Sequence, residues 1–380
     1  MKRICIVITT RGNFAKMKAA MRAIVAHPDL ELQLVIGGAL LNRQSAISDE
    51  IRAQGFEICA TLDYMLAAET QEAIGTSAAL CLLKATELIE KLKPDVIMVI
   101  ADRYEALALA QAALCSNVLI AHLEGGEVSG SIDERIRHAI TKLAHYHFPS
   151  SKDAAERIVR LGERPDSIAI VGSPSFDLLR EADGAGLARV KKRLAGDNAD
   201  IDLEHPFLLV SQHPVVTEYA NAEAQYRVLA EAVLKLAMPA VWIWPNNDAG
   251  ADTVREPLVW LRAQKDCPPI AIVSGLPIEE YGALLRRAAC LVGNSSSGLR
   301  EGGFIGTATV NIGSRQMVRE RGANVVDVAC GVDEIVAAVR RQIAHGQYAP
   351  DYHYGDGTAG QKIANFLARF HPPLDKTIAY

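Results

Sequence analysis

From residue 4 to residue 344 the chain repeats one rhythm, a short β-branched run followed by a stretch of helical periodicity. The spacing predicts strands at 4–8, 32–36, 96–100, 118–123 and 168–171, then at 207–210, 240–244, 270–273, 291–292 and 309–312. Between them it predicts helices at 16–26, 68–92, 104–115, 132–145 and 153–161, and later at 222–236, 253–263, 278–288 and 332–344. Parallel neighbours need a long crossover, and a helix supplies it, so this alternation predicts parallel sheets covered on both faces. At 380 residues the chain is long for one core, and two domains are expected. The rhythm breaks over 176–205, which holds Lys191-Lys192-Arg193 and the polar run from Gly196 to Asp202. The expected plan is a Rossmann-like domain over 1–175, a helical linker over 176–205, a second Rossmann-like domain over 206–362, and a tail over 363–380. Two such α/β domains facing across a cleft would bind ligands at the carboxyl ends of their strands.

A composition of 49% hydrophobic and 22% charged residues suits a soluble α/β enzyme. The net charge of −5 offers no broad basic field, so no nucleic acid partner is expected, and an anionic ligand must be held by a few local cations. The seven cysteines are scattered without a Cys-x-x-Cys pair, which predicts buried free thiols in a reducing, cytoplasmic setting and no metal site. The apolar run Ile4–Ile8 is too short for a signal peptide, and no run approaches the roughly 18 residues of a membrane span. No membrane partner is expected.

Chemistry is expected first in the loop from His122 to His138, which joins a strand to an amphipathic helix. It sets Glu124, Glu127 and Asp133 among Gly125, Gly126, Ser129, Gly130 and Ser131. A carboxylate at the end of a buried strand is costly unless paired, and such sites raise carboxyl pKa values toward the range useful for proton transfer. Asp102-Arg103 follows the preceding strand and could equally cap the next helix; beside Glu124 the functional reading leads. Asp133 is also a possible cap. Arg137 and Lys142 fall roughly on one side of their helix, and His138 reads better as a core histidine.

In the second half, Gly293-Asn294-Ser295-Ser296-Ser297-Gly298 follows a strand and opens a helix, the arrangement of amides and hydroxyls that cradles phosphate. It has neither a Walker lysine nor a dinucleotide fingerprint, so no nucleotide triphosphatase or dehydrogenase is supported. Glu301, one turn on, could bind a ribose diol. His213 and the Asn246–Asp248 segment follow other strands of the same half, and Arg315 offers a cation after a further one. Arg11 and Lys16 flank the helix start after the first strand, where they are either phosphate ligands or surface cations.

Taken together these segments resemble the hydrolysing UDP-N-acetylglucosamine 2-epimerase family. The resemblance rests on Asp102-Arg-Tyr-Glu-Ala-Leu-Ala, on Glu124-Gly-Gly-Glu-Val-Ser-Gly-Ser-Ile-Asp-Glu-Arg-Ile-Arg-His, and on Gln212-His-Pro-Val-Val-Thr. Pro245-Asn-Asn-Asp-Ala-Gly, Gly293-Asn-Ser-Ser-Ser-Gly, Asn311-Ile-Gly-Ser-Arg-Gln and Tyr354-Gly-Asp-Gly extend it over about residues 1–370. It implies a GT-B-like fold of two Rossmann-like, doubly wound parallel-sheet domains, with the C-terminal helix returning to the first. It implies C2 deprotonation, anti elimination of UDP to 2-acetamidoglucal, and syn hydration to N-acetylmannosamine, without metal or cofactor. Asp102, Glu124 and Asp133 become the acid/base carboxylates. His213, Ser295 and Ser296 fall to the diphosphate, Glu301 to ribose, Leu276 to uracil, Asn246 and Asp248 to the sugar nucleotide, and Arg11, Arg103 and Arg315 to positive charge around it. A homo-oligomer, dimer or tetramer, is also implied.

Non-hydrolysing relatives carry Glu-Ala-Gly-Leu-Arg where this chain has Glu124-Gly-Gly-Glu-Val, so the hydrolysing form is expected. The first loop departs from the family pattern Arg-x-(Asp/Glu)-Tyr, reading Arg11-Gly12-Asn13-Phe14. A UDP-2,4-diacetamido-2,4,6-trideoxyglucose is therefore an alternative substrate, with a less polar sugar expected. A GT-B glycosyltransferase and a non-catalytic nucleotide-sugar sensor are competing classes, and neither needs three carboxylates at strand ends.

Overall fold

The structure, a computed structural model, describes residues 1–66, 70–129, 132–182, 185–194, 201–215, 218, 221–245, 251–273 and 275–379, excluding the side chains of 42–46, 132, 251 and 252. The chain divides into two compact units, one of Met1–Asp177 with Gly355–Tyr380 and one of Leu178–Tyr354.

The first unit runs β1 (Lys2–Ile8), α1 (Arg11–Ala26), β2 (Leu30–Gly37), α2 (Gln44–Ala53), β3 (Ile58–Leu62) and α3 (Gln71–Leu92). It continues through β4 (Val96–Ile100), α4 (Tyr104–Cys115), β5 (Leu119–Leu123), α5 (Ile132–Leu143), β6 (Tyr146–Phe148) and α6 (Lys152–Arg160). The unit boundary falls within α7 (Ser175–Glu181). The second unit holds α8 (Ala185–Leu194), β7 (Leu208–Ser211), α9 (Ala222–Leu236), β8 (Ala240–Ile243), α10 (Arg255–Arg262), β9 (Ile270–Val273) and α11 (Ile278–Arg287). After these come β10 (Cys290–Gly293), α12 (Glu301–Ile305), β11 (Thr309–Ile312), β12 (Val325–Val328) and α13 (Val332–His345), and α14 (Ala359–Arg369) belongs to the first unit.

Each unit is built on a six-stranded sheet, ordered β3-β2-β1-β4-β5-β6 in the first and β12-β11-β10-β7-β8-β9 in the second. The strand pairs are parallel. Counted from the first strand of each unit, both sheets have the same doubly wound order. The order reverses between β1 and β4, and again between β7 and β10; such switch points are where open α/β sheets bind ligands.

Alternation along β1 shows why both faces are covered. Ile4, Ile6 and Ile8 enter one core with α1 and α14, while Cys5 and Val7 enter another with α3 and α4. Gly360 of α14 lies so close to α1 that an added Cβ would be 2.5 Å from the Ala19 carbonyl oxygen. The Asp177 carboxylate accepts the Ala359 and Gly360 amides at 2.9 and 2.8 Å, capping that helix. The stretch 176–205, expected as a linker, contains α8, which packs on α11 inside the second unit: Gly186 abuts Ala283.

Three expectations change. The run 168–171 is not a strand but a single bridge from Ile168 to His147, and the sixth strand is the three-residue β6. The edge strands β3 and β12 carry a partly exposed pattern and escape a search for buried apolar runs. Cys59 and Cys115 are exposed, although all seven thiols are free. Among the described residues, no helix is long and apolar enough to cross a membrane.

Candidate active site

In the first unit, Ile100 of β4 pairs with Leu123 of β5, and the residue after each turns into left-handed backbone. Ala101 and Glu124 both have φ 59°, a conformation costing L residues about 1–2 kcal/mol. It is held by hydrogen bonds: Ala101 N–H donates to Leu123 O at 2.9 Å and Glu124 N–H to Phe148 O at 3.0 Å. Strain of this kind persists where the surroundings over-determine it, commonly at functional sites. Here it ends two adjacent strands together and brings Asp102 and Glu124 to the same sheet edge.

Glu124 is 2% exposed, and its Oε2 lies 2.7 Å from Lys16 Nζ. Ser173 Oγ donates to Oε1 at 3.4 Å and is itself 2.8 Å from Ser175 Oγ. Asp102 accepts a hydrogen bond from the buried Arg137 guanidinium. The same guanidinium donates to Glu127 O at 2.6 Å and Ser129 Oγ at 3.3 Å, tying the loop after Glu124 to Asp102. Burial pushes the Asp102 carboxyl above its ordinary range; Arg137 opposes this without cancelling it, and Asp133 in the exposed first turn of α5 adds like-charge repulsion. The three carboxylates are thus not equivalent: one is ion-paired to an ammonium, one is paired to a guanidinium while burial raises its pKa, and one is exposed.

Gly125 and Gly126 sit where protein packing leaves no room for a side chain. A Cβ on Gly125 would sit 2.9 Å from His122 Nδ1 and 3.1 Å from Thr141 Oγ1, and one on Gly126, at φ +77°, would sit 2.3 Å from Ala154 O. The buried His122 bridges the strands, with Nε2 2.8 Å from Ala101 O and Nδ1 3.1 Å from Thr141 Oγ1. Since the Ala101 carbonyl can only accept, Nε2 carries the proton. Burial brings the His122 pKa down to about 3, so the ring is neutral at ordinary pH. His138 stands 3.7 Å from Glu134 on α5, near enough to His122 to act on its charge.

The other cations expected at substrate have protein partners. Arg11, with its side chain 57% exposed, pairs with Glu50 at 3.1 Å; Lys16, one turn further along α1, is the cation that reaches the carboxylate. Arg103 Nε donates to the buried Glu105 at 2.5 Å. Glu105 also accepts from Thr9 Oγ1 at 3.0 Å, and Thr9 accepts from Asn13 Nδ2 at 3.1 Å. Phe14, 5% exposed, sits edge-on to Phe56 with ring centroids 6.2 Å apart. The change at that position therefore lies in the core.

In the second unit the switch-point loops are bound to each other. Gly293, at φ +142°, lies so close to Ser211 that a Cβ would be 2.1 Å from its carbonyl oxygen. Asn294 accepts the His213 N–H at 2.7 Å and donates to the His213 carbonyl at 2.8 Å, fixing both ends of one peptide segment. The Asn294 carbonyl in turn accepts from Arg315 Nη1 at 3.1 Å and Gln316 Nε2 at 2.9 Å. His213, Asn294 and Arg315 are thereby brought together from three loops.

Ser295 Oγ is 2.9 Å from Ser297 Oγ, which is 2.6 Å from the Tyr281 hydroxyl. Ser296 opens a three-residue 3-10 turn, and Glu301 begins the five-residue α12, so the helix expected after this loop takes the form of two short turns. Any phosphate cradle here depends on local hydroxyls and amides more than on a macrodipole. Leu276 is half-buried just before the Pro277 cap of α11. Asn246 and Asp248 lie outside the described residues.

Arg137, Ser173, Glu105 and His122 were given no site role by the sequence; Lys16 was read as a phosphate ligand or surface cation, and Asn294 only as part of the cradle-like run. Lys16 and Arg137 carried a signal, as charges within the two helices that follow site loops; Ser173 and Asn294 carried only the Gly-Ser-Pro-Ser and Gly-Asn-Ser turn patterns.

Two doubly wound sheets of the same strand order, with polar loops at both switch points, define a GT-B-like α/β protein. The chain belongs to the UDP-N-acetylglucosamine 2-epimerase family, whose model matches residues 22–368. It is 31% identical over 367 residues to a UDP-N,N'-diacetylbacillosamine 2-epimerase (hydrolyzing) of Legionella pneumophila, covering 96% of this chain and 95% of that one. It is 30% identical over 378 residues to a UDP-N-acetylglucosamine 2-epimerase of Neisseria meningitidis, covering 98% and 96%. The crystal structure of a Neisseria meningitidis UDP-GlcNAc 2-epimerase bound to UDP-GlcNAc has the same fold, with a TM-score of 0.79 at 15% identity over 97% of this chain and all (100%) of that one.

Proposed function

We propose that this protein is a hydrolysing nucleotide-sugar 2-epimerase converting UDP-N-acetylglucosamine and water to N-acetylmannosamine and UDP. The carrying observation is the pair of acidic residues after β4 and β5, Asp102 and Glu124, in unlike electrostatic settings at one sheet edge. Epimerising C2 without redox requires a base for the C2 proton, an acid for the departing or returning oxygen, and a way to deliver water. A carboxylate ion-paired to Lys16 suits the base, and a half-buried carboxyl whose pKa burial raises suits the acid. Asp133, exposed beside Asp102, suits exchange of protons with water. Arg103 would supply positive charge near the sugar. The nucleotide is assigned to His213, Ser295, Ser296, Glu301 and Arg315, with Leu276 toward uracil and Asn246 and Asp248 along the sugar nucleotide. Arg11 enters only if it leaves Glu50.

The hydrolysing form is supported by the loop sequence Glu124-Gly-Gly-Glu-Val, which differs from the Glu-Ala-Gly-Leu-Arg of non-hydrolysing relatives, and by the hydrolysing relative of Legionella pneumophila. The same reaction on UDP-2,4-diacetamido-2,4,6-trideoxyglucose is a second reading, favoured by the Legionella pneumophila relative. The buried Phe14 does not favour a less polar sugar.

Turnover in deuterated water should place one deuteron at C2 of the released sugar. Oxygen-18 water should label C1 and leave UDP unlabelled, since the C1–O bond breaks before water adds. Label on the UDP phosphate, or full retention of the C2 proton, overturns the proposal. Catalytic efficiencies on the two UDP-sugars, measured side by side, choose between the substrates.

A further inference from the structure

The motif after β4 contributes a residue that the proposed reaction leaves without a task. Glu105, the second residue of α4, is 2% exposed. Its Oε1 accepts from both Arg103 Nε at 2.5 Å and Thr9 Oγ1 at 3.0 Å, whereas among the described residues Oε2 is buried with no hydrogen-bond donor. As a device for stability this is poor, because burying a carboxylate costs several kcal/mol per ion and one oxygen here remains unsatisfied. The arrangement is better explained by what it does to Arg103. That side chain is 50% exposed and meets Glu105 through Nε, which leaves both terminal amino groups outside that ion pair; it also stands 5.8 Å over the Tyr104 ring, within hydrogen-bonding reach of its hydroxyl. Bidentate pairing would have consumed one of them.

The rest of the chain of bonds extends the grip across the switch point. Asn13 Nδ2 donates to Thr9 Oγ1, and Thr9 donates to Glu105, so the end of β1 and the start of α1 are locked to the start of α4. Every donor and acceptor is consistent in direction, with the carboxylate as the final acceptor. Arg103 also adjoins Asp102, so where its charge rests matters for the neighbouring carboxyl.

Resting on the proposed function, the geometry points to Glu105 as a positioning residue that holds Arg103 with its terminal amino groups toward acceptor oxygens of the sugar half of the nucleotide sugar, with Thr9 and Asn13 bracing the carboxylate from β1 and α1. Glu105 itself touches no reacting atom.

Two arms test it. In the first, hydrogen exchange of the Arg103 Nε–H is followed by NMR after selective arginine labelling; it should accelerate at least about tenfold in Glu105→Gln, because the charge-assisted bond is lost. An unchanged rate overturns the pairing, whatever the enzyme does. In the second, Glu105→Gln should raise KM for the UDP-sugar about tenfold, lower kcat by less, and leave the affinity for UDP alone unmoved, as expected for a lost charge-assisted contact on the sugar side. Glu105→Asp should recover part of the loss, and Thr9→Val should shift KM in the same direction by less. In an Arg103→Ala background the Glu105→Gln effect should vanish. Independent, multiplying effects of the two substitutions would show that Glu105 does not act through Arg103 and would overturn the assignment. A wild-type protein that turns over no UDP-sugar fails the proposed function, and the exchange arm distinguishes that failure from a failure of the Glu105–Arg103 pairing.

Discussion

Lys16 and Glu124 are 108 residues apart in sequence, yet Lys16 Nζ lies 2.7 Å from Glu124 Oε2 at the carboxyl edge of one sheet. The first crossover helix thereby supplies the counter-ion for a carboxylate two strands away, and a buried negative charge becomes tolerable where proton transfer is proposed.

Glu124→Gln should retain fold and UDP affinity and lose roughly 10²–10⁴-fold in kcat, the usual cost of removing a positioned acid or base. Steady-state kinetics paired with UDP calorimetry checks this; a loss of less than about threefold in kcat would remove Glu124 from the chemistry.

Asn294→Ala should loosen the His213 segment from both ends. The cost should be about 1–3 kcal/mol of stability, as for a buried hydrogen-bonding group left unmatched, together with weaker UDP binding. His213→Ala and Ser296→Ala should weaken UDP binding with little change in unfolding midpoint. Calorimetric titration and urea unfolding separate the two classes, and UDP affinity unchanged in all three variants would remove these residues from the nucleotide site.

The neutral His122 makes acid stability a direct reading of the strand-end relay. Its folded pKa, about 3, lies below the ordinary value of 6.5, so its contribution is fully present above about pH 6.5 and is lost as pH falls toward 3. His122→Gln should be less stable than wild type at pH 7.5 but should show a shallower fall in stability between pH 6.5 and pH 4. Parallel slopes in urea unfolding across that window would place the His122 proton elsewhere.

Glu163 anchors the C-terminal segment. Its carboxylate lies 2.5 Å from Lys142 Nζ, 2.6 Å from Lys376 Nζ and 3.2 Å from His147 Nε2. Burial alone would raise its pKa, but contributions from His147, Lys142 and Lys376 outweigh it and hold the group at about 2. The stabilisation is therefore present above the ordinary carboxyl value and is lost as pH falls through about 2. Lys376→Met should cost about 1–2 kcal/mol, below the full value of a buried pair because two cations share the carboxylate, and should expose the last residues to carboxypeptidase first. Resistance equal to wild type would show that the tail is held without this ion pair.

The placement of Asp102 and Glu124 just past adjacent strands was legible in the sequence. Asp102 and Glu124 stood out because a charge directly after a buried apolar run has few structural uses, and the same logic marked the polar loops after β7 and β10. Partner choice was not legible. Arg11 and Lys16 look alike in sequence, but the 3.6-residue repeat of α1 puts one beside Glu50 and the other beside Glu124. Arg103 was expected to supply positive charge around the sugar nucleotide, but nothing in the sequence showed that Glu105 occupies its Nε. Phe14 looked like a lost polar contact and is a core ring.

The sequence by itself determined the two parallel sheets, because continuous apolar runs separated by amphipathic helices have no other way to satisfy their backbone and bury both faces. It also determined where polar chemistry could stand, namely just past those runs. Only the tertiary structure decided which charges meet, how the left-handed residues Ala101 and Glu124 turn two strand ends together, and that a side chain at Gly125 would run into His122 and Thr141. Those outcomes depend on strand register and on side-chain reach between positions such as His122 and Ala101, 21 residues apart, or Lys16 and Glu124, 108 apart, and local periodicity carries no information about either.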